Sequence, residues 1–208
     1  MDALPRVLLP CVLALASAAF SPASRAQDVV VTLDPAATKV EFTLGATLHT
    51  VHGTFQLESG QLRFDPATGK CGGSVILDAT SGNTDNASRD KKMHGEILES
   101  AKFPQIVFTP IHVTGPISEV LAGKIAIPLQ VTGVFRLHGQ DHPMTIPVTV
   151  DSSSASGKPV QLQASSKFDV PFVQWGLKNP STFLLHVSDT VNLEVHAAGR
   201  ISAPPASR

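Results

Sequence analysis

Several residue types that mark particular protein classes are scarce in this 208-residue chain. It has no tyrosine, one tryptophan and two cysteines, and Cys71 is the one cysteine beyond the first 26 residues. A lone thiol cannot form an intrachain disulfide, so we interpret Cys71 as a free thiol at a strand end. The chain is long enough to be stabilised by an apolar core instead.

Charged residues are also sparse, at 16% of the chain, and the formal net charge is −1. No basic block is present, which argues against a nucleic-acid partner. The pair Lys91–Lys92 is predicted to lie on a solvated helix face. The motifs of nucleotide-binding loops, serine hydrolases and zinc proteases do not occur, so the sequence predicts no enzyme.

The N-terminus is predicted to be a signal peptide that is removed after residue 26. Arg6 precedes an apolar run over residues 7–19, and small residues stand at 24 and 26. The run is shorter than the roughly 20 residues that span a membrane. We therefore expect an exported protein, periplasmic or secreted and not membrane-spanning. Its single domain is predicted over residues 27–201, with a flexible tail over 202–208.

Alternation of apolar and polar residues dominates the rest of the chain. Ile125, Ile127, Leu129 and Val131 alternate with more polar neighbours, and similar runs recur between turn signals. This pattern predicts an antiparallel, all-β, up-and-down meander of about eight strands. A long predicted strand over 124–138, interrupted by Gly133, favours a barrel over a sandwich.

One segment, residues 83–113, has helical periodicity. Ser88 is the predicted N-cap, and a helix from there places Met93, His94, Ile97, Leu98 and Ala101 on one apolar face. Lys92, Glu96 and Glu99 fall on the opposite side. The pre-proline residue Phe103 ends the helix, and a strand begins at Gln105.

Asp90 and His94 are four residues apart beside this apolar face. They are predicted either to hold the polar end of a ligand near the barrel mouth or to serve as structural capping groups.

The histidines give a weak metal signal. His49 and His52 are expected on opposite faces of a strand, whereas His138 and His142 flank a turn. Without a third ligand or a cysteine pair, we predict no metal site.

The predicted interior is rich in phenylalanine, which suits either a side-chain-filled barrel or an apolar pocket. The sequence alone leaves both open. The residues predicted to line a ligand pocket are Phe42, Leu44, Phe55, Phe64, Asp90, Met93, His94, Ile97, Phe108, Phe135, Phe168 and Trp175.

Four stretches between about Val31 and Val195 resemble the YceI-like family, the polyisoprenoid-binding periplasmic proteins. They are residues 40–55, the Arg-Asp helix start at 89–94, the Phe-Pro-Gln-Ile-Val-Phe strand entry at 103–108, and the His-Gly hairpin at 135–148. Residues 168–181 depart from the family's usual segment, which leaves the ligand's identity open.

The resemblance implies a lipocalin-like barrel of eight antiparallel strands, with a short α-helix covering one end, around a long isoprenoid chain such as a quinone-type lipid. It implies no catalysis and no cofactor other than that lipid. The alternative is a stress-related interaction module with a filled barrel. A homodimer is left open.

Overall fold

The computed structural model describes residues 28–153, 160–183 and 185–202. The predicted signal peptide and the part of the predicted tail beyond residue 202 lie outside these ranges. Nine strands are present in the described chain: β1 Val29–Leu33, β2 Lys39–Ala46, β3 Thr50–Phe64, β4 Cys71–Asn83, β5 Gln105–Thr114, β6 Ile127–Leu137, β7 Gln140–Ser153, β8 Val160–Val170 and β9 Val187–Ser202. Two helices accompany them, α1 Ala87–Lys92 and α2 Ile117–Leu121, and a π-helical turn follows α1 over Met93–Ile97.

The strands form one closed antiparallel sheet. Consecutive strands pair from β3 to β9, and both β1 and β2 lie between β3 and β9. Because β1 and β2 occupy two halves of one position, the nine strands make a barrel of eight positions. The predicted eight-stranded up-and-down barrel is confirmed, and the sandwich is ruled out.

The break between β1 and β2 has a local cause. The Asp34 carboxylate accepts a hydrogen bond from the Ala36 amide (3.0 Å), which forms an Asx-type turn around Pro35. The Asp34 amide still donates to the carbonyl of Ala198 on β9 (2.8 Å), so the chain leaves the wall briefly and returns to it.

The predicted long strand at 124–138 is shorter than expected. It spans Ile127–Leu137, because Ala126 has a positive φ of 56° that ends the extended run. The bend falls at Gly133, where the register against β5 shifts beside Pro110. A Cβ at Gly133 would lie 2.7 Å from the Phe108 ring, so glycine lets that ring cross the strand.

The helical segment differs in two ways from the prediction. Asn86, not Ser88, is the N-cap, and its side-chain oxygen accepts from the Arg89 amide at 3.0 Å. The α-helix ends at Lys92 and a π turn continues it, shown by the Leu98 amide donating to the Met93 carbonyl (2.8 Å). A π turn advances each residue by less than 100°, so the predicted wheel holds only in part beyond residue 92. Met93, Ile97 and Leu98 pack on the core as predicted, whereas Ala101 is exposed.

The end of the barrel that carries α1 is called the helix end. It also holds the loop at 46–50, the turn at 138–139 and the loop at 171–186, since all of these join strand ends on that side. At the opposite end, α2 packs on β6 and β7. The buried Ser152 hydroxyl fixes α2 there by donating to the Val120 carbonyl at 2.7 Å.

Candidate functional site

The barrel is hollow, and its interior holds two cavities. The wide cavity, about 510 Å³, lies at the helix end. The narrow cavity, about 220 Å³, lies toward the opposite end. Four buried side chains line both cavities and form a waist between them: Leu77, Ile106, Phe135 and Leu193.

Side chains from the strands make the narrow cavity. Its lining is mostly aliphatic and aromatic and includes Phe64, Phe108 and Phe168. The half-buried thiol of Cys71 also lines this cavity, and burial raises its pKa. A thiol with a raised pKa is a poor nucleophile, so Cys71 is suited to packing rather than to redox chemistry.

The wide cavity combines strand residues with the helical segment. Phe42 and Phe55 form an aromatic pair with ring centroids 5.2 Å apart on its wall. The π turn and its C-cap add three apolar side chains to the lining of this cavity, Met93, Ile97 and Leu98. The cavity reaches the surface, because the exposed residues His49, Asn86, Ser88 and Thr182 also line it. This opening is called the mouth.

Two cationic side chains lie at the mouth. Arg89 and Lys92 both line the wide cavity and are both half-buried. The Arg89 guanidinium is held by Thr84: Nε donates to the Thr84 hydroxyl and Nη2 to its carbonyl, each at 2.8 Å. The Lys92 ammonium reaches toward the carbonyl of Pro180 across the mouth, at a long 3.4 Å. The prediction of a solvated face for Lys92 is therefore wrong.

The side chains of Asp90 and His94 contact polar groups of the protein near the ends of the helical segment. The Asp90 carboxylate accepts from the Thr84 amide (3.0 Å) and from the Thr84 hydroxyl. The His94 ring contacts the Gly82 carbonyl at 2.8 Å and the Ser100 hydroxyl at 3.1 Å. Neither residue lines a cavity in the described chain. These contacts give both side chains a structural role, and a ligand role for either stays a prediction.

Trp175 lies behind the cavity wall. Its ring stacks on His142 with centroids 4.0 Å apart and planes inclined by 1°, and it is 5.7 Å from Phe135 at the waist. The His142 Nε2 atom is buried and has no hydrogen-bond partner in the described chain. Burial lowers the pKa of His142 below its ordinary value, although the neighbouring Asp141 opposes the shift.

His138 has a structural contact of its own. Its ring is 2.6 Å from the Glu99 carboxylate and packs on Phe103, so the turn of the β6–β7 hairpin holds the exit of the helical segment. His138 and Gly139 both have positive φ, as a two-residue type I′ hairpin turn requires. The described residues contain no group of three or more side chains arranged to hold a metal ion.

The barrel brings together nine of the twelve predicted pocket residues; Asp90, His94 and Trp175 are the exceptions. Whether the nine contact a ligand stays a prediction. Sequence reasoning missed the cations of the mouth. Their three-residue spacing was an available signal, because it places two side chains on the same side of one helical turn.

A closed meander around apolar cavities, with a helical segment at one mouth, defines the class of lipocalin-like barrels. The YceI-like domain model matches residues 31–198, and the chain belongs to the YceI-like family. The resemblance predicted from the four sequence stretches is thus confirmed.

Solved structures support the same fold. BcnA of Burkholderia cenocepacia is similar, with a TM-score of 0.62, 19% identity, and coverage of 80% of this chain and 98% of that chain. A polyisoprenoid-binding domain of Saccharophagus degradans, implicated in plant cell wall breakdown, has a TM-score of 0.57, 16% identity, and coverage of 84% and 98%. The Campylobacter jejuni YceI protein has a TM-score of 0.51, 15% identity, and coverage of 71% and 80%.

A comparison with curated proteins finds no match for this chain. Among the described residues, no helix has the length and apolar character needed to cross a membrane.

Proposed function

We propose that this protein is exported and binds a long apolar lipid inside its barrel, most simply an isoprenoid or quinone-type chain. Its role is that of a carrier or store. Binding, without catalysis, is the activity that we assign to the barrel. The export step rests on the predicted signal peptide over residues 1–26.

The observation that carries this proposal is the pair of cavities aligned along the barrel interior. The wide cavity alone has a volume typical of small-molecule pockets, about 300–1,000 Å³. Burial of apolar surface stabilises a bound chain by about 25 cal/mol per Å². A long tail can therefore be held without a specific polar anchor, provided that its chain passes the waist or folds within the wide cavity.

The relatives support the ligand class. The Saccharophagus degradans domain is described as binding polyisoprenoid. Because its identity to this chain is 16%, it shows the fold, and the ligand comes to this chain as part of the proposal.

The test is to express the full chain with its leader and purify it from the periplasm or medium. Organic extraction and mass spectrometry should return an isoprenoid or other long-chain lipid in near-stoichiometric amount. Repeated extraction without any apolar species would overturn the proposal.

A matched pair of variants tests whether the lipid lies in the wide cavity. Val51 is buried and lines the wide cavity, whereas its neighbour Thr50 on β3 is exposed. Val51→Trp should fill part of the cavity and lower the recovered lipid, while Thr50→Trp should leave it unchanged. Equal recovery from both variants would place the lipid outside the barrel.

A further inference from the structure

We propose that the mouth is an anion site and that the preferred lipid carries a phosphate or carboxylate head on its apolar tail. This inference rests on the proposed function, since it concerns the head of the lipid whose tail fills the barrel. The residues that carry it are Arg89 and Lys92.

The first step is the placement of charge. Both cations line the wide cavity, and no carboxylate is among the described residues that line it. Arg89 and Lys92 are three residues apart on α1, a spacing at which side chains are neighbours on one helix face. Like charges at that spacing repel each other, and a shared anion between them would relieve the repulsion.

The second step is that neither charge is neutralised directly. No carboxylate of the described chain lies within 4 Å of either cation. Asp90 is connected to Arg89 through the Thr84 hydroxyl, which accepts from Nε and donates to the Asp90 carboxylate. This carboxylate orients the guanidinium through Thr84, while Lys92 has no such partner among the described residues.

The third step is the remaining hydrogen-bonding capacity. A guanidinium has five N–H donors, and Thr84 accepts from two of those on Arg89. The Lys92 ammonium has one contact, and its 3.4 Å length exceeds the usual range for an N–H···O bond. The oriented guanidinium of Arg89 and the available donors of Lys92, at the edge of an apolar cavity, match the oxygens of a phosphate or carboxylate.

The experiment compares lipids with the same tail and different heads. Displacement of the neutral probe N-phenyl-1-naphthylamine is measured with geranylgeranyl monophosphate against geranylgeraniol, and with palmitate against hexadecanol. We expect each anionic member to bind about tenfold more tightly than its neutral partner, as expected for one charge-assisted hydrogen bond. The preference should shrink at high salt, because the mouth is open to solvent.

Two lysine variants assign the preference to the mouth. Lys92→Gln should lower the ratio of anionic to neutral affinities without changing the affinity for the neutral lipid, while Arg89 keeps part of the preference. Lys92→Arg should restore the ratio. The matched control is Lys91→Gln, which removes the same charge from an exposed neighbour that lines no cavity in the described chain.

The outcomes separate this inference from the proposed function. Equal binding of charged and neutral partners, or a ratio unaffected by Lys92→Gln, would overturn the anion site and leave lipid binding standing. Failure of all four lipids to displace the probe would overturn both. A preference limited to phosphate or to carboxylate identifies which head the mouth takes.

Discussion

The two halves of the barrel share most of their strands but are built differently. Strand residues form the narrow cavity almost entirely, with Thr38 as the exception at the start of β2. The wide cavity adds α1, the π turn and the loop at 171–186. Strand alternation therefore shapes one half, whereas irregular segments shape the other.

Under the proposed function, the two halves recognise different parts of the lipid. Apolar side chains dominate the lining of the narrow half and can select a tail by length and width, although Arg63, Thr38, Ser165 and Ser166 also line this cavity. The wide half adds cations at its mouth and can also select a head.

The largest expected effect is a loss of stability, compared between a tightly packed position and a position that faces a cavity. Ile127 is 2% exposed and lines neither cavity in the described chain, whereas the half-buried Leu44 faces the wide cavity. Ile127→Ala should lower the free energy of unfolding by about 2–5 kcal/mol, because it opens a new cavity in packed structure. Leu44→Ala enlarges an existing space and should cost less, nearer the transfer term of about 1.5–3 kcal/mol.

Urea unfolding of both variants beside the parent protein measures this difference. The comparison uses protein freed of lipid, since a bound ligand would stabilise the folded state unequally. Equal losses at the two positions would show that the wide half is packed as tightly as the rest.

A second prediction concerns tail length. Ala164 lines the narrow cavity on β8, so Ala164→Phe should shorten the space beyond the waist. Excluding about three methylenes from burial costs roughly 2.4 kcal/mol, or about fiftyfold in affinity for a long chain. Lipids short enough for the wide cavity alone should bind as before.

The matched control is Gln163→Phe, the exposed neighbour on the same strand. Titration with alcohols of increasing chain length would reveal the break. Uniform weakening of short and long chains by Ala164→Phe would mean that the two cavities are not used in series.

The contrast between the halves also explains what the sequence could predict. Period-two alternation identified Phe64, Phe108 and Phe168, because a strand side chain has two possible faces. The closed eight-position meander followed from the same signal and from short turns. Arg89 and Lys92 were missed because their place at the mouth depends on contacts outside α1. Thr84 holds Arg89, and Lys92 meets a loop that approaches from 88 residues away. The contact of Asp90 with Thr84 was missed as well, because sequence spacing does not reveal that partner.

A third prediction uses Cys71 to report on the narrow half. Because Cys71 lines that cavity, a bound tail that passes the waist should protect the thiol from alkylation. A lipid confined to the wide cavity should leave the rate unchanged. Mass spectrometry after iodoacetamide treatment, with and without added long-chain lipid, measures the protection. Cys71→Ser/Thr149→Cys is the control, since position 149 is exposed and should react equally in both conditions.

The smallest expected effect is a pH dependence of the free energy of unfolding that arises from His142, whose ring stacks on Trp175. Burial holds the folded-state pKa of His142 below its ordinary value of 6.5. Below pH 6.5 the unfolded chain therefore binds the proton first, and the free energy of unfolding falls as the pH drops toward the folded-state pKa. The slope from this one group cannot exceed about 1.4 kcal/mol per pH unit.

Other groups titrate in the same range, so the informative quantity is the difference between the parent protein and His142→Phe. Phenylalanine keeps a ring beside Trp175 and removes the proton. Urea unfolding followed by fluorescence of Trp175, the chain's single tryptophan, should show the parent losing stability relative to the variant between pH 7.5 and 5.5. Parallel pH profiles would mean that His142 titrates normally and that solvent reaches the wall behind the waist. The stack on Trp175 would then leave the imidazole as accessible to protons as it is in the unfolded chain.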